Sequence, residues 1–182
     1  MSRIPAVDPA HAEGKQKQLL DAVQQKLGRT PNLTRVLANA PAALEGYLAF
    51  SGALGHGKLS ARLREQIALA VAEINHCDYC LAAHASIGGM VGLDAGAIDA
   101  ARHAKATEPK AQAALALTRT LVVNRGRLTD AELTAARAAG LSDAEIVETT
   151  ANVALNILTN YVNHVADTVV DFPKVEALAA TR

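Results

Sequence analysis

Apolar residues recur along this chain every three or four positions, the period of a helix with one buried face. Leu19, Leu20, Val23 and Leu27 place a first helix over His11–Leu27, ended by Gly28. Pro31 opens a short helix reaching Asn39. Pro41 opens another, with Leu44, Leu48 and Leu54 on one side and Gly55-His56-Gly57 as its stop. Leu63–Ile74 is a run of good helix formers with Ser60 as its cap. The step Asn75-His76-Cys77-Asp78 interrupts that run, so one helix ends near Asn75 and a second starts near Cys77 and reaches about Met90. Gly88-Gly89 and Gly92 break the chain after it, and Asp94 caps a helix to about Ala104. Glu108-Pro109 opens a long helix through Asn124, ended by Gly126. Thr129-Asp130 and Ser142-Asp143-Ala144-Glu145 are two further starts, the second with the spacing of a capping box; the chain turns between them at Ala139-Gly140. The last helix is expected from about Asp143 to about Val170, stopping before Pro173. Along it Asn152, Asn156, Asn160 and His164 recur every four residues between apolar neighbours. That stripe is either an ordinary polar face or a row set beside reactive groups or a subunit interface. No stretch has the pattern of a strand, and the fold class is all-α, a compact multi-helix bundle.

Composition narrows this further. The chain has 182 residues, enough for one domain (residues 1–182) with a core, preceded by an extended arm over residues 1–10 that carries two prolines. Half of the residues are hydrophobic but only 3% are aromatic, so small side chains let helices approach closely. Eighteen basic residues balance 18 acidic ones, and no strong field recruits nucleic acid or an anionic membrane. No apolar run approaches the roughly 18 residues needed to span a bilayer. The first 16 residues lack the apolar core of a secretory signal. A cytoplasmic location is therefore expected. In that reducing compartment a pair of nearby cysteines is catalytic or metal-binding rather than a structural disulfide.

Such a pair is present. Cys77 and Cys80 are the only cysteines, spaced C-x-x-C, with His84 four residues beyond the second and Glu65 twelve before the first. At a helix N-terminus the free backbone N–H groups and the helix dipole stabilise a thiolate. Cys77, Cys80 and His84 fall at i, i+3 and i+7 and share one helix face, with His84 close enough to take a proton from Cys80. Glu65 reaches His84, and orients its ring, only if the two helices pack antiparallel. Glu73, one turn before Cys77, competes for that role. Other readings apply to the same residues. The two cysteines can be inert packing, which leaves His84 and Glu65 unexplained. Cys77, Cys80, His84 and either His76 or Glu65 can also make four zinc ligands, although no second paired motif exists. His56, flanked by glycines, either lines a pocket mouth or is solvated, and His103 is accounted for by the dipole of its own helix.

The stretch LREQIALAVAEINHCDYCLAAHASIGG resembles the core motif of the alkylhydroperoxidase AhpD / carboxymuconolactone decarboxylase-like family, and ALNILTNYVNHVADTVVDFP resembles the C-terminal helix of its peroxidase-related branch. The resemblance extends from about Pro31 to Pro173. It implies an all-α fold, a homo-oligomer of three or six subunits, and reduction of a small hydroperoxide by a cysteine pair without a cofactor or metal. It also implies a relay from Glu65 through His84 to Cys80, with Cys77 as the resolving thiol, and a lipoyl-protein or thioredoxin-like reductant. The peroxidases of the family have a further histidine just before the second cysteine. Here that position is Tyr79, which implies a shorter relay, a slower reaction or another substrate. Decarboxylases of the family lack the cysteine pair. A non-catalytic thiol sensor and a lyase on the same scaffold are the alternatives, and exchange of roles between the two cysteines stays open.

Overall fold

The computed structural model describes residues 2–176, and all regular structure among them is helical. A short 3-10 turn, Pro9–His11, precedes α1 (Gly14–Leu27), α2 (Asn32–Leu37), α3 (Pro41–Gly55), α4 (Ala61–Ile74), α5 (Asp78–Met90), α6 (Ala95–Arg102), α7 (Pro109–Val123), α8 (Asp130–Ala138) and α9 (Asp143–Ala166). The starts follow their caps. Ser60 Oγ accepts from Leu63 N at 3.2 Å, and Asp94 Oδ1 from Ala97 N at 2.7 Å. Both Thr129 with Glu132 and Ser142 with Glu145 form capping boxes, where the sequence spacing had marked only the second. Such a cap contributes about 1 kcal/mol. The side chain of Lys110 and the backbone N–H of Ser142 hold the Glu145 carboxyl down at about 2.

The long core helices are arranged around α4, which packs against α5, α6, α7 and α9. Its six consecutive residues Ile67–Ala72 are all buried. Leu69 and Ala72 join a core with Leu20, Leu44, Tyr79 and both cysteines, while Ile67 and Val71 join a second with Leu115, Leu121 and Val153. A helix buried on both faces has no polar stripe to lose, which is why this segment reads as an unbroken apolar run. No helix among the described residues is long and apolar enough to cross a membrane.

Two helix limits differ from the sequence pattern by three residues or more. α1 starts at Gly14 rather than His11, because Asp8 accepts from Ala10 N and forms a separate turn. α5 ends at Met90 as the pattern predicts, although Gly88 and Gly89 lie inside it and the break comes at Val91-Gly92. At Gly88 a Cβ would sit 3.1 Å from Leu93 Cδ1, so glycine there permits the close approach of the following loop. α9 ends at Ala166, four residues early: Asp167 turns left-handed (φ 49°), and the Ala166 carbonyl accepts from Arg3 N and Ile4 N of the N-terminal segment. Beyond it the chain crosses back over the α1–α2 turn, where Asn32 Nδ2 donates to Val169 O (3.0 Å) and Arg29 Nη2 to Asp171 O (2.8 Å). Residue 1 of the expected arm lies outside the described residues.

The outer face of α9 carries Val147, Leu158, Tyr161 and Val165 exposed, with Ala154 between them. With Ala151 these positions step by four and three residues alternately, the spacing of a helix-pairing seam.

Candidate active site

The turn between α4 and α5 places the thiols. Asn75 closes α4, His76 adopts the left-handed conformation (φ 54°), and Cys77 N reaches back to Ala72 O at 2.9 Å. That six-to-one bond is the closure of a helix ending that usually employs glycine. Cys77 then caps α5, its sulfur accepting from Cys80 N at 3.4 Å. The two cysteines are joined as a disulfide with Cα atoms 5.3 Å apart, and both are buried. The reversal carries α5 back along α4 and brings Glu65 to His84. His84 Nδ1 lies 2.8 Å from Glu65 Oε2. A carboxylate only accepts, so Nδ1 carries the hydrogen and Nε2 is left as the free basic nitrogen.

Cys80, His84 and Glu65 line one cavity of about 280 Å³. Its other walls are mainly apolar, from Leu48, Leu54, Ile87 and Leu155, with the amides of Asn152 and Asn156 among them. Cys77 is not on the cavity surface; it lies behind Cys80 in the core. Tyr79 stands where the family's extra histidine would be. Its hydroxyl accepts from Leu33 N at 3.0 Å, and Phe172 meets its ring edge-on with centroids 5.8 Å apart. Arg29 stacks over Phe172 in turn, 4.5 Å from the ring centroid. Burial pushes the Tyr79 phenol far up, with the Asp171 carboxylate adding to the effect against the Leu33 N–H. It stays a neutral phenol in the wall of the cavity. Tyr47, also on the cavity, is raised by burial and by the charge of Glu65.

Several residues of the sequence reading go elsewhere. Glu73 pairs with Arg102 at 2.7 Å, so it does not compete for His84. The Arg102 side chain is only 6% exposed, and its charge needs that partner. His56 and His103 are exposed, and neither lines the cavity. His76 is exposed on the turn, and among the described residues no three His, Cys, Asp or Glu side chains converge to hold a metal.

The asparagine stripe of α9 divides. Asn152, Asn156 and Asn160 are buried, whereas His164 is exposed and reaches Asn75 O with Nε2 at 2.9 Å. Asn152 and Asn156 donate to carbonyls one turn back, Glu148 O and Asn152 O, both at 2.8 Å. Asn160 instead accepts from Asn75 Nδ2 (2.8 Å), at the end of α4. The residue that meets the thiols is Asn163, outside the four-residue stripe: its Nδ2 donates to Cys80 Sγ at 3.2 Å. Its flanking sequence carries one signal. From Asn156, steps of four and three lead through Asn160 to Asn163 on the same face, as well as through Asn160 to His164.

Residues 41–120, from α3 into α7, match the model of the carboxymuconolactone decarboxylase family. No curated protein sequence matches the chain. Among solved structures, an AhpD-core, peroxidase-related protein from Ralstonia eutropha JMP134 is 26% identical, with a TM-score of 0.84 over 93% of this chain and 92% of that one. A peroxidase-related protein from Silicibacter sp. TM1040 is 23% identical, with a TM-score of 0.79 over 91% of this chain and 88% of that one. The debrominase Bmp8, as a cysteine-to-alanine variant in complex with 2,3,4-tribromopyrrole, shares the fold at 16% identity, with a TM-score of 0.78 over 92% and 91%.

Proposed function

The chain belongs to the AhpD-like and carboxymuconolactone decarboxylase-like family, and on that premise we propose that it is a dithiol hydroperoxide reductase. The observation that carries the reading is the row Glu65–His84–Cys80 along one cavity, with Cys77 bonded to Cys80 from behind. In the reduced protein His84 Nε2 takes the Cys80 proton, and Glu65 stabilises the imidazolium that forms. The Cys80 thiolate attacks the distal oxygen of the hydroperoxide. The O–O bond breaks, the alkoxide takes the proton from His84 and leaves as an alcohol, and Cys80 becomes a sulfenic acid. Cys77 attacks that sulfur, water leaves, and the disulfide forms. An external dithiol, a lipoyl-protein or thioredoxin-like protein, reduces it by exchange. The net reaction consumes one hydroperoxide and one dithiol and yields alcohol, water and disulfide. The apolar walls suit a small organic peroxide better than a highly polar one.

The test is a count of thiols. Reduced, metal-free protein receives one equivalent of cumene hydroperoxide and is quenched under denaturing conditions at short times. Loss of two thiols per peroxide, with cumyl alcohol and an intramolecular disulfide as products, is expected. Both thiols surviving for minutes would overturn the reading. Because a debrominase shares the fold, 2,3,4-tribromopyrrole is run in parallel. Thiol loss with that compound and none with the peroxide would move the reaction to reductive dehalogenation.

The seam on α9, exposed among the described residues, is assigned to a second copy of the chain. Its regular spacing matches the self-complementary packing of paired helices. A sedimentation mass of one 18.9 kDa chain at micromolar concentration would refute that assignment.

A further inference from the structure

We propose that Asn163 is a catalytic residue of the dithiol site, its carboxamide N–H holding the Cys80 sulfur and stabilising the thiolate. The inference rests on the dithiol reading above and adds a group to it.

Three observations separate Asn163 from its neighbours on α9. Asn152 and Asn156 bond their amide hydrogens to carbonyls of their own helix, which any buried asparagine on a helix can do. Asn163 spends its amide hydrogen on Cys80 Sγ, 83 residues away in the chain. Its Oδ1 is buried without a partner among the described residues, so the side chain is satisfied only through its donor. The sulfur is also the reacting atom of the pair that opens on the cavity.

The strength of this bond depends on the state of the sulfur. A disulfide sulfur is a weak acceptor and a neutral thiol little better, while a thiolate carries full charge and makes a charge-assisted bond. The donor therefore favours the thiolate over the thiol and the disulfide, and raises the share of protein in the attacking state below the thiol midpoint. A carboxamide does not titrate, so it shifts the midpoint of the thiol without adding a titration of its own. His84 and Asn163 divide the work: His84 receives the proton, and Asn163 holds the charge left behind. The same preference acts on the redox equilibrium, because stabilising the thiolate stabilises the reduced pair and makes the disulfide a stronger oxidant.

The test needs no peroxide, so it stands or falls apart from the hydroperoxide reaction. In a Cys77→Ser background, with Cys80 as the sole thiol, alkylation by iodoacetamide is followed against pH for the parent, Asn163→Leu and Asn163→Asp. Both replacements approximate the amide in size. Asn163→Leu removes the donor, and Asn163→Asp puts a carboxylate against the sulfur. The expected result is about tenfold less reactive thiolate below the midpoint in Asn163→Leu, a one-unit rise of that midpoint, and a larger rise in Asn163→Asp. The plateau at high pH, where the thiol ionises unaided, should be retained. An unchanged or lowered midpoint, or an equal loss at every pH, would overturn the proposal. The second readout keeps both cysteines. Equilibration with dithiothreitol should move the Asn163→Leu protein towards disulfide by up to about tenfold, corresponding to about 30 mV. No movement at a pH above the parent midpoint would overturn the proposal as well.

Discussion

With Cys80 replaced by serine, hydroperoxide turnover should fall to background, a loss of about three orders of magnitude or more, since a serine hydroxyl is not a nucleophile at neutral pH without the full apparatus of a hydrolase. Cys77→Ser should behave differently. It retains the attacking sulfur, so one equivalent of peroxide should still oxidise it to a sulfenic acid, which a cyclic diketone traps and mass spectrometry counts. What it loses is the internal disulfide, and with it rapid recycling by a dithiol. The asymmetry comes from the position of each sulfur. Cys80 lies on the cavity and receives the Asn163 donor, whereas Cys77 caps α5 and stays behind in the core. The opposite pattern, with a sulfenic acid in Cys80→Ser and none in Cys77→Ser, would exchange the two roles and place the peroxide outside the cavity. Turnover unchanged in Cys80→Ser would remove the dithiol mechanism.

The all-helical fold was legible because each helix carries its own local signals: a 3.6-residue apolar period, a capping side chain, and a proline or glycine at its limits. Errors came where an end is decided by a distant partner. α9 was expected to run on to Val170 because nothing in its own residues stops it sooner. Its actual end is set by the N-terminal segment, which occupies the Ala166 carbonyl. The proposed catalytic row divides in the same way. Cys77, Cys80 and His84 are adjacent on one element and follow from spacing alone. Glu65 depends on one antiparallel turn, which the Asn75–Cys77 step permits, and its bond to His84 is found. Asn163 lies on a helix more than 80 residues further along. Its register against α5 depends on how the whole core packs, and the periodic signal pointed equally to His164, which is exposed. The sequence marks Tyr79 only by the histidine that stands there in the resembling peroxidases. Its place under Phe172, and so its structural duty, depends on the chain crossing back after α9.

Glu65→Gln is expected to slow the reaction of the reduced protein with hydroperoxide by about tenfold or more at neutral pH, and His84→Ala by roughly 10²–10⁴, the range for a positioned general base. The amide of Gln can still accept the Nδ1 hydrogen, so the ring keeps its orientation; what is lost is the negative charge beside the imidazolium that forms as Cys80 gives up its proton. The pH dependence distinguishes this from damage to the fold. As pH rises the thiol ionises without help, and the base and its carboxylate become unnecessary. Stopped-flow rates of the variants should therefore converge on the wild-type rate in alkaline solution and diverge from it below. A deficit of the same size at every pH would mean that Glu65 only supports the α4–α5 contact. Glu65→Ala provides the complementary comparison. It removes the orienting bond as well as the charge, so its excess loss over Glu65→Gln at neutral pH measures orientation separately. If the two variants are equal, the 2.8 Å contact acts through charge alone.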